Sequence, residues 1–215
     1  MDTEKLLRRQ LIEHLKKDFL CVEEVSVRPA LFPRHVVRAD VVALPINPEH
    51  KLFDSPIAFE VKNVDEIDIY DLSNWSKAIK QASDYVYATI EPDKRLQDFA
   101  GRRIIASFVF PAPPFQWSAN GTDDPDGFRK IRTSSAFHLA SYFKVGAAQF
   151  SRTGNQKESL TLYMGRGEVW TQNKGWSGTA TNHLSNKRKL GSQNINVLAE
   201  LDGTGVRPDG FPWDF

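Results

Sequence analysis

Cysteine is almost missing from this chain: Cys21 is the only one among 215 residues. One thiol builds neither an internal disulfide nor a thiolate zinc cluster, so neither is expected to hold the fold. No apolar stretch approaches the roughly 18 residues of a membrane helix, and no membrane partner is expected. The opening MDTEKLLRRQ carries acids and lacks an apolar signal core. A cytoplasmic, nuclear or nucleoid-associated location is therefore expected, and secretion is not. His14, His35, His50, His138 and His183 lack close ligand spacing and read as ordinary histidines. Ser134 and Ser135 lack the Gly-x-Ser-x-Gly context of a nucleophile and read as a helix cap.

What is present is an ordinary globular balance, 40% hydrophobic and 26% charged, with length enough for one elaborated domain. The net charge of +1 conceals an uneven distribution. Residues 1–125 hold 16 basic and 20 acidic side chains, against 12 and 7 in residues 126–215. An acidic half that could hold metal precedes a basic half that could hold phosphate.

Hydrophobic periodicity predicts a helix from Thr3 to about Phe19, striped by Leu7, Leu11, Ile12 and Leu15. Three strands follow, CVEEVSVRP, HVVRADVVALP and PIAFEVKN. Ser73 or Asn74 caps a second predicted helix, SNWSKAIKQASDYVYATI, which Pro92 ends. RRIIASFVFPAPP reads as a buried strand. The order is α-β-β-β-α-β. Beyond the polar loop PAPPFQWSANGTDDPDG, SSAFHLASYFKVGAAQF reads as helix. SLTLYMGRGEVWTQ reads as a hairpin turning at Gly165 to Gly167. The expected organisation is one domain over 1–215: a catalytic core 1–110, a loop 111–133 and a basic elaboration 134–215.

The chemistry concentrates in PIAFEVKN. Apolar strands rarely carry ions unless these are paired, bind metal or react. Ile57, Phe59 and Val61 share one face, which leaves Glu60 and Lys62 together on the other. Asp40 stands on the preceding strand. A divalent metal between Asp40 and Glu60, with Lys62 steadying an attacking water, would explain all three. On the next helix Gln81 and Tyr85 are four apart and share a face.

Asp40, Glu60-Val61-Lys62 and Gln81-x-x-x-Tyr85 in this order resemble the PD-(D/E)xK nuclease superfamily. The Gln-x-x-x-Tyr spacing is similar to its RecB-type and lambda-exonuclease-like branch. The resemblance covers residues 1 to about 110, and the acid stands in Arg38-Ala39-Asp40 rather than after a proline. It implies a restriction-endonuclease-like α/β fold, a mixed sheet flanked by helices with a C-terminal helix and hairpin added. It also implies that Asp40, Glu60 and the Val61 carbonyl hold magnesium or manganese, oxygen donors suiting those ions. Lys62 would orient or help deprotonate the water, Gln81 would bond near the phosphate, and Tyr85 would support it or touch the nucleic-acid backbone. Many members take a further glutamate from the first helix, for which Glu13 is the candidate.

The implied activity is metal-dependent hydrolysis of DNA, as an endonuclease, with RNA as an alternative substrate and a homodimer or larger ring as the assembly. A non-catalytic nucleic-acid-binding or assembly subunit on the same fold is the rival. Lys174, Lys187, Arg188 and Lys189, with Trp170 and Trp176, are the candidate nucleic-acid contacts of the basic half. The run Asp65, Glu66, Asp68 and Asp71 reads as a solvated loop, and Asp123, Asp124 and Asp126 as a turn.

Overall fold

A computed structural model describes residues 3–46, 55–63, 70–115, 127–151, 159–172, 174–177, 189–190 and 193–194. Helix α1 covers Thr3–Leu15, and strands β1 Phe19–Arg28, β2 Val37–Pro45 and β3 Ile57–Val61 follow it. Helix α2, Leu72–Tyr85, leads through the short β4, Thr89–Ile90, to β5, Ala106–Phe110. Then come α3 Gly127–Ala140, β6 Val145–Ser151, β7 Ser159–Met164, β8 Gly167–Thr171 and β9 Gly175–Trp176. A separate two-stranded ladder pairs β10, Lys189–Leu190, with β11, Gln193–Asn194.

Among the described residues β1 to β9 form one mixed sheet in the order β4-β1-β2-β3-β5-β6-β7-β8-β9. Only β3 with β5 and β5 with β6 run parallel. Those two steps are the ones crossed by α2 and α3, as parallel neighbours require. Helix α1 lies on one face, where Leu11 and Leu15 pack with Val41, Phe59, Phe108 and Trp170. Each such leucine contributes about 1.5–3 kcal/mol by leaving water. Helices α2 and α3 cover the other face through Trp75, Ala78, Ala82 and Phe137. Both faces being covered, all five residues of β3 are buried.

The expected α-β-β-β-α-β order is present, with β4 inserted before the last strand. Several expected boundaries are corrected. Helix α1 stops at Leu15, because Phe19 is drawn into the sheet against Trp170, ring centroids 5.4 Å apart. Asp71, rather than Ser73 or Asn74, caps α2 by accepting the Ser73 amide at 2.8 Å. That helix ends at Tyr85; Tyr87 turns to φ 60°, and Thr89–Ile90 pairs with β1.

The stretch expected as one helix over 134–150 divides. Helix α3 begins earlier, a short 3-10 turn covers Ser141–Phe143, Lys144 adopts φ 60°, and β6 follows. Ser134 is thus inside α3, donating to the Lys130 carbonyl at 2.9 Å, and caps nothing. Since β6 pairs directly with β5, the C-terminal half extends the same sheet. The hairpin at Gly165 is as expected, with φ 63°.

Gly146 marks the tightest passage of β6. A Cβ there would lie 2.3 Å from the Tyr163 carbonyl oxygen and 2.7 Å from the Phe108 ring. Gly146→Ala is expected to cost about 1–3 kcal/mol or more by overpacking. Urea unfolding checks this: the midpoint should fall with an unchanged slope, and an unmoved midpoint would mean the strands are less tightly packed.

Candidate active site

The β2–β3 ladder pairs Val41 with Phe59, so one further step sets Asp40 across from Glu60. Opposed residues on antiparallel strands hold their Cβ atoms about 4.5–5.5 Å apart. Asp40 Oδ2 accepts the Val61 amide at 2.8 Å. A strand residue turns its N–H and C=O to the same neighbour, so the Val61 carbonyl also faces the Asp40 side.

Asp40 reaches that amide at a break in the β1–β2 ladder, across which the register is unchanged. The β1–β2 ladder joins Glu23 to Val41 and Val25 to Ala39, and Glu24 and Asp40 are skipped. Side-chain alternation changes across it: Val22 and Val25, and likewise Val42 and Ala39, share one cluster despite a three-residue step. Glu24 adopts φ 53°, the left-handed region that costs a side-chain-bearing residue about 1 kcal/mol or more. Arg8 of α1 meets the Glu24 carboxylate at 2.8 Å, and Arg38 lies 3.6 Å from it.

Glu60 is 2% exposed. A buried carboxylate is costly unless its oxygens are bonded. Lys62 Nζ lies 2.6 Å from Oε1, and the Tyr85 hydroxyl donates to Oε2. The same hydroxyl oxygen lies 3.2 Å from the Arg38 carbonyl. Burial, then the Glu60 charge, raises the Tyr85 pKa, so the phenol stays a donor.

Burial pulls the Lys62 pKa down, but its bond to Glu60 and the charges of Glu60, Glu4 and Asp40 outweigh that and leave it raised. Lys62 is an ammonium here, suited to orienting water or offsetting charge rather than removing a proton. Burial, with a smaller push from Glu60, raises Asp40 to about 6 against the pull of the Val61 amide. A carboxyl group raised by burial and by a neighbouring acid favours a cation beside it.

Gln81 is exposed on α2 one turn before Tyr85, and it bonds to none of Asp40, Glu60 or Lys62. Glu13 is not brought to the site: it is exposed on α1 and paired with Lys16. Glu4 takes that place, 3.4 Å from the Asn63 amide and acting on Lys62. Nine residues separate Glu4 from Glu13, two and a half turns, which puts them on opposite sides of the helix. Glu4, Arg8, Leu11 and Leu15 share one face. Extending the apolar stripe toward the N-terminus would have found the first two.

Trp170 is fully buried in the core and unavailable for stacking on bases. Lys174 is exposed on the turn before β9. Lys187, Arg188 and the Lys189 side chain lie outside the described residues, as do Asp65, Glu66, Asp68, Asp123, Asp124 and Asp126. Burial pushes the Cys21 thiol up to about 12, leaving it inert as a nucleophile.

Among the described residues no three His, Cys, Asp or Glu side chains cluster as a complete metal cage. The donors present are two carboxylates and a main-chain oxygen. They fit an ion such as magnesium that keeps several waters. Among the described residues no helix is long and apolar enough to cross a membrane. Set against protein-family models, curated proteins and solved structures, the chain matches none.

The raised Asp40 pKa has a signed consequence for the metal-free protein. An unfolded aspartate titrates near 3.9 and this one at about 6. The penalty for ionising it is full above pH about 6 and absent below about 4, so this term lowers stability as pH rises between them. Asp40→Asn should therefore raise the melting temperature at pH 8 and lose that advantage by pH 4. Thermal melts in EDTA across this range test it; equal melting at pH 8 would remove the burial penalty inferred for Asp40.

Proposed function

We propose that this chain is a divalent-metal-dependent nuclease of the PD-(D/E)xK superfamily, hydrolysing phosphodiester bonds in DNA as an endonuclease. One observation carries the reading: Asp40 holds the Val61 amide at 2.8 Å beside Glu60, while Lys62 sits on the Glu60 carboxylate at the end of a buried central strand. The α-β-β-β-α-β element order supports it. Asp40, Glu60 and the Val61 carbonyl would hold magnesium or manganese, which stabilises charge developing on phosphate and lowers the pKa of bound water.

The side chains divide the remaining work. Lys62 donates to the attacking water or a phosphate oxygen as an ammonium. Tyr85 fixes the Glu60 carboxylate from α2, and so acts as a positioning residue rather than a substrate contact. Gln81, exposed beside it, is free to turn toward a phosphate. Glu4 holds the Asn63 amide and adds negative charge behind Lys62.

The test is cleavage of supercoiled and linear DNA with magnesium, manganese or EDTA. Wild type should nick the plasmid only with metal, and Asp40→Ala and Lys62→Ala should lose about a hundredfold or more. Full activity in either variant would overturn the assignment. No cutting in any lane despite salt-sensitive DNA binding would favour a non-catalytic binding subunit. Cleavage confined to matched RNA would redirect the substrate.

The two helix glutamates give a second, paired prediction. Glu4→Gln should lower the cleavage rate, while Glu13→Gln should leave it unchanged, because Glu13 faces away. The reverse ranking would show that α1 is turned differently from the arrangement described.

A further inference from the structure

The hairpin connecting β1 to β2 carries Leu31, Phe32 and Val36, which are 63%, 57% and 52% exposed. Scattered exposed apolar side chains need no explanation, but three within six residues of one loop form a patch. The loop is held stiffly. The His35 amide donates to the Phe32 carbonyl at 2.9 Å, closing a tight turn with Pro33 at its second position. Arg28 locks it from beneath: Nη1 donates to the Pro33 carbonyl at 2.7 Å, while Nε and Nη2 hold Glu91 at 2.8 and 3.1 Å.

The segment 28–39 contains Arg28, Arg34, Arg38 and His35 and no acid. Arg34 and His35, both exposed, stand between Phe32 and Val36. The hairpin also leaves the sheet at the end where Asp40 and Glu60 meet. Val36 is four residues before Asp40, about 13 Å of extended strand. That is about four base-pair steps along a duplex.

Resting on the nuclease reading above, we infer that this hairpin is a wedge that inserts Phe32 and Leu31 between stacked bases of duplex DNA beside the cleavage site. Apolar wedges flanked by cations unstack base steps in this way, the cations holding the phosphates on either side. Rigidity matters because a preformed tip loses little conformational freedom on insertion. An apolar protein groove would give no reason for exposed Arg34 and His35 between Phe32 and Val36, and a hairpin serving a remote partner need not emerge at the acid–lysine end.

The experiment uses the full chain in EDTA with duplexes carrying 2-aminopurine at successive positions. Wild type should brighten the probe several-fold at one step. Phe32→Ser, an exposed change whose unfolding midpoint should match wild type, should abolish the brightening and weaken binding about tenfold. Arg34→Ala should weaken binding and flatten its salt dependence while keeping the brightening.

Wild-type binding and brightening in Phe32→Ser and in the Leu31→Ser/Phe32→Ser double variant would overturn the wedge alone, as cleavage and DNA binding would stand without it. So would unchanged DNA binding with loss of a dimer in sedimentation, marking a contact between copies. Capture of the tip on anionic phospholipid vesicles with DNA binding unaffected would overturn it likewise. If wild type bound no duplex in EDTA or in calcium, the wedge would fall, while the nuclease reading would be decided separately by the cleavage assay.

Discussion

A carboxylate buried in a central strand is the constraint around which this molecule is arranged. Glu60 lies between β2 and β5 with both faces of the sheet covered, and is almost fully removed from water. Left alone it would cost several kcal/mol or give up its charge. Lys62, the residue just past the strand, and Tyr85 from α2 each bond one oxygen, so burial is tolerated only while α2 is docked. The helix in turn docks through Trp75, Ala78 and Ala82. The apolar stripe of α2 and the polar head of Tyr85 therefore act together: packing brings the hydroxyl to the acid, and the acid fixes the end of the helix.

The second acid is placed by an irregularity. A regular ladder would have paired Asp40 with Glu24 and left its side chain in ordinary alternation. Skipping both residues, with Glu24 at φ 53°, turns the carboxylate to the Val61 amide. The strain is modest and is answered by Arg8 and Arg38 on the Glu24 side chain. Arg8 itself retains a buried Nε with no hydrogen-bond partner among the described residues. Functional sites commonly keep such local departures from regularity, and here the departures converge on one carboxylate.

How much of this could be read from the residues follows from the range of each signal. Alternation with period two is local, and it put Glu60 and Lys62 on one face correctly. The four-residue helical spacing likewise set Gln81 beside Tyr85. Long-range effects were not legible. Thr89 and Ile90 read as helix until β1 offered them a partner. Lys144 ends its helical turn at φ 60° with no glycine to announce it, so a strand was read as more helix. Asp71 was counted with its neighbouring acids as a solvated run, and its capping role depends on where α2 begins. Glu13 reads as the first-helix candidate, although the helix's own periodicity sets it half a turn from the face that carries Arg8, Leu11 and Leu15.

The position of the site at the end of β3 follows from the order of the sheet. There β2, antiparallel, has only begun, and β5, parallel, is ending. The chain leaves β3 for α2 on one face, while α1 occupies the other. Pairing of β3 with β2 ends at Phe59 and with β5 at Val61, so the strand's last residues lie between two helices that reach it from opposite sides. Crevices at the carboxyl ends of strands in open α/β sheets are where ligands ordinarily bind. Here the same edge also gathers the Val61 and Asn63 amides, Glu4 and Arg8. The charges collect at that edge because everywhere else along β3 the two helices and the neighbouring strands leave room only for apolar side chains.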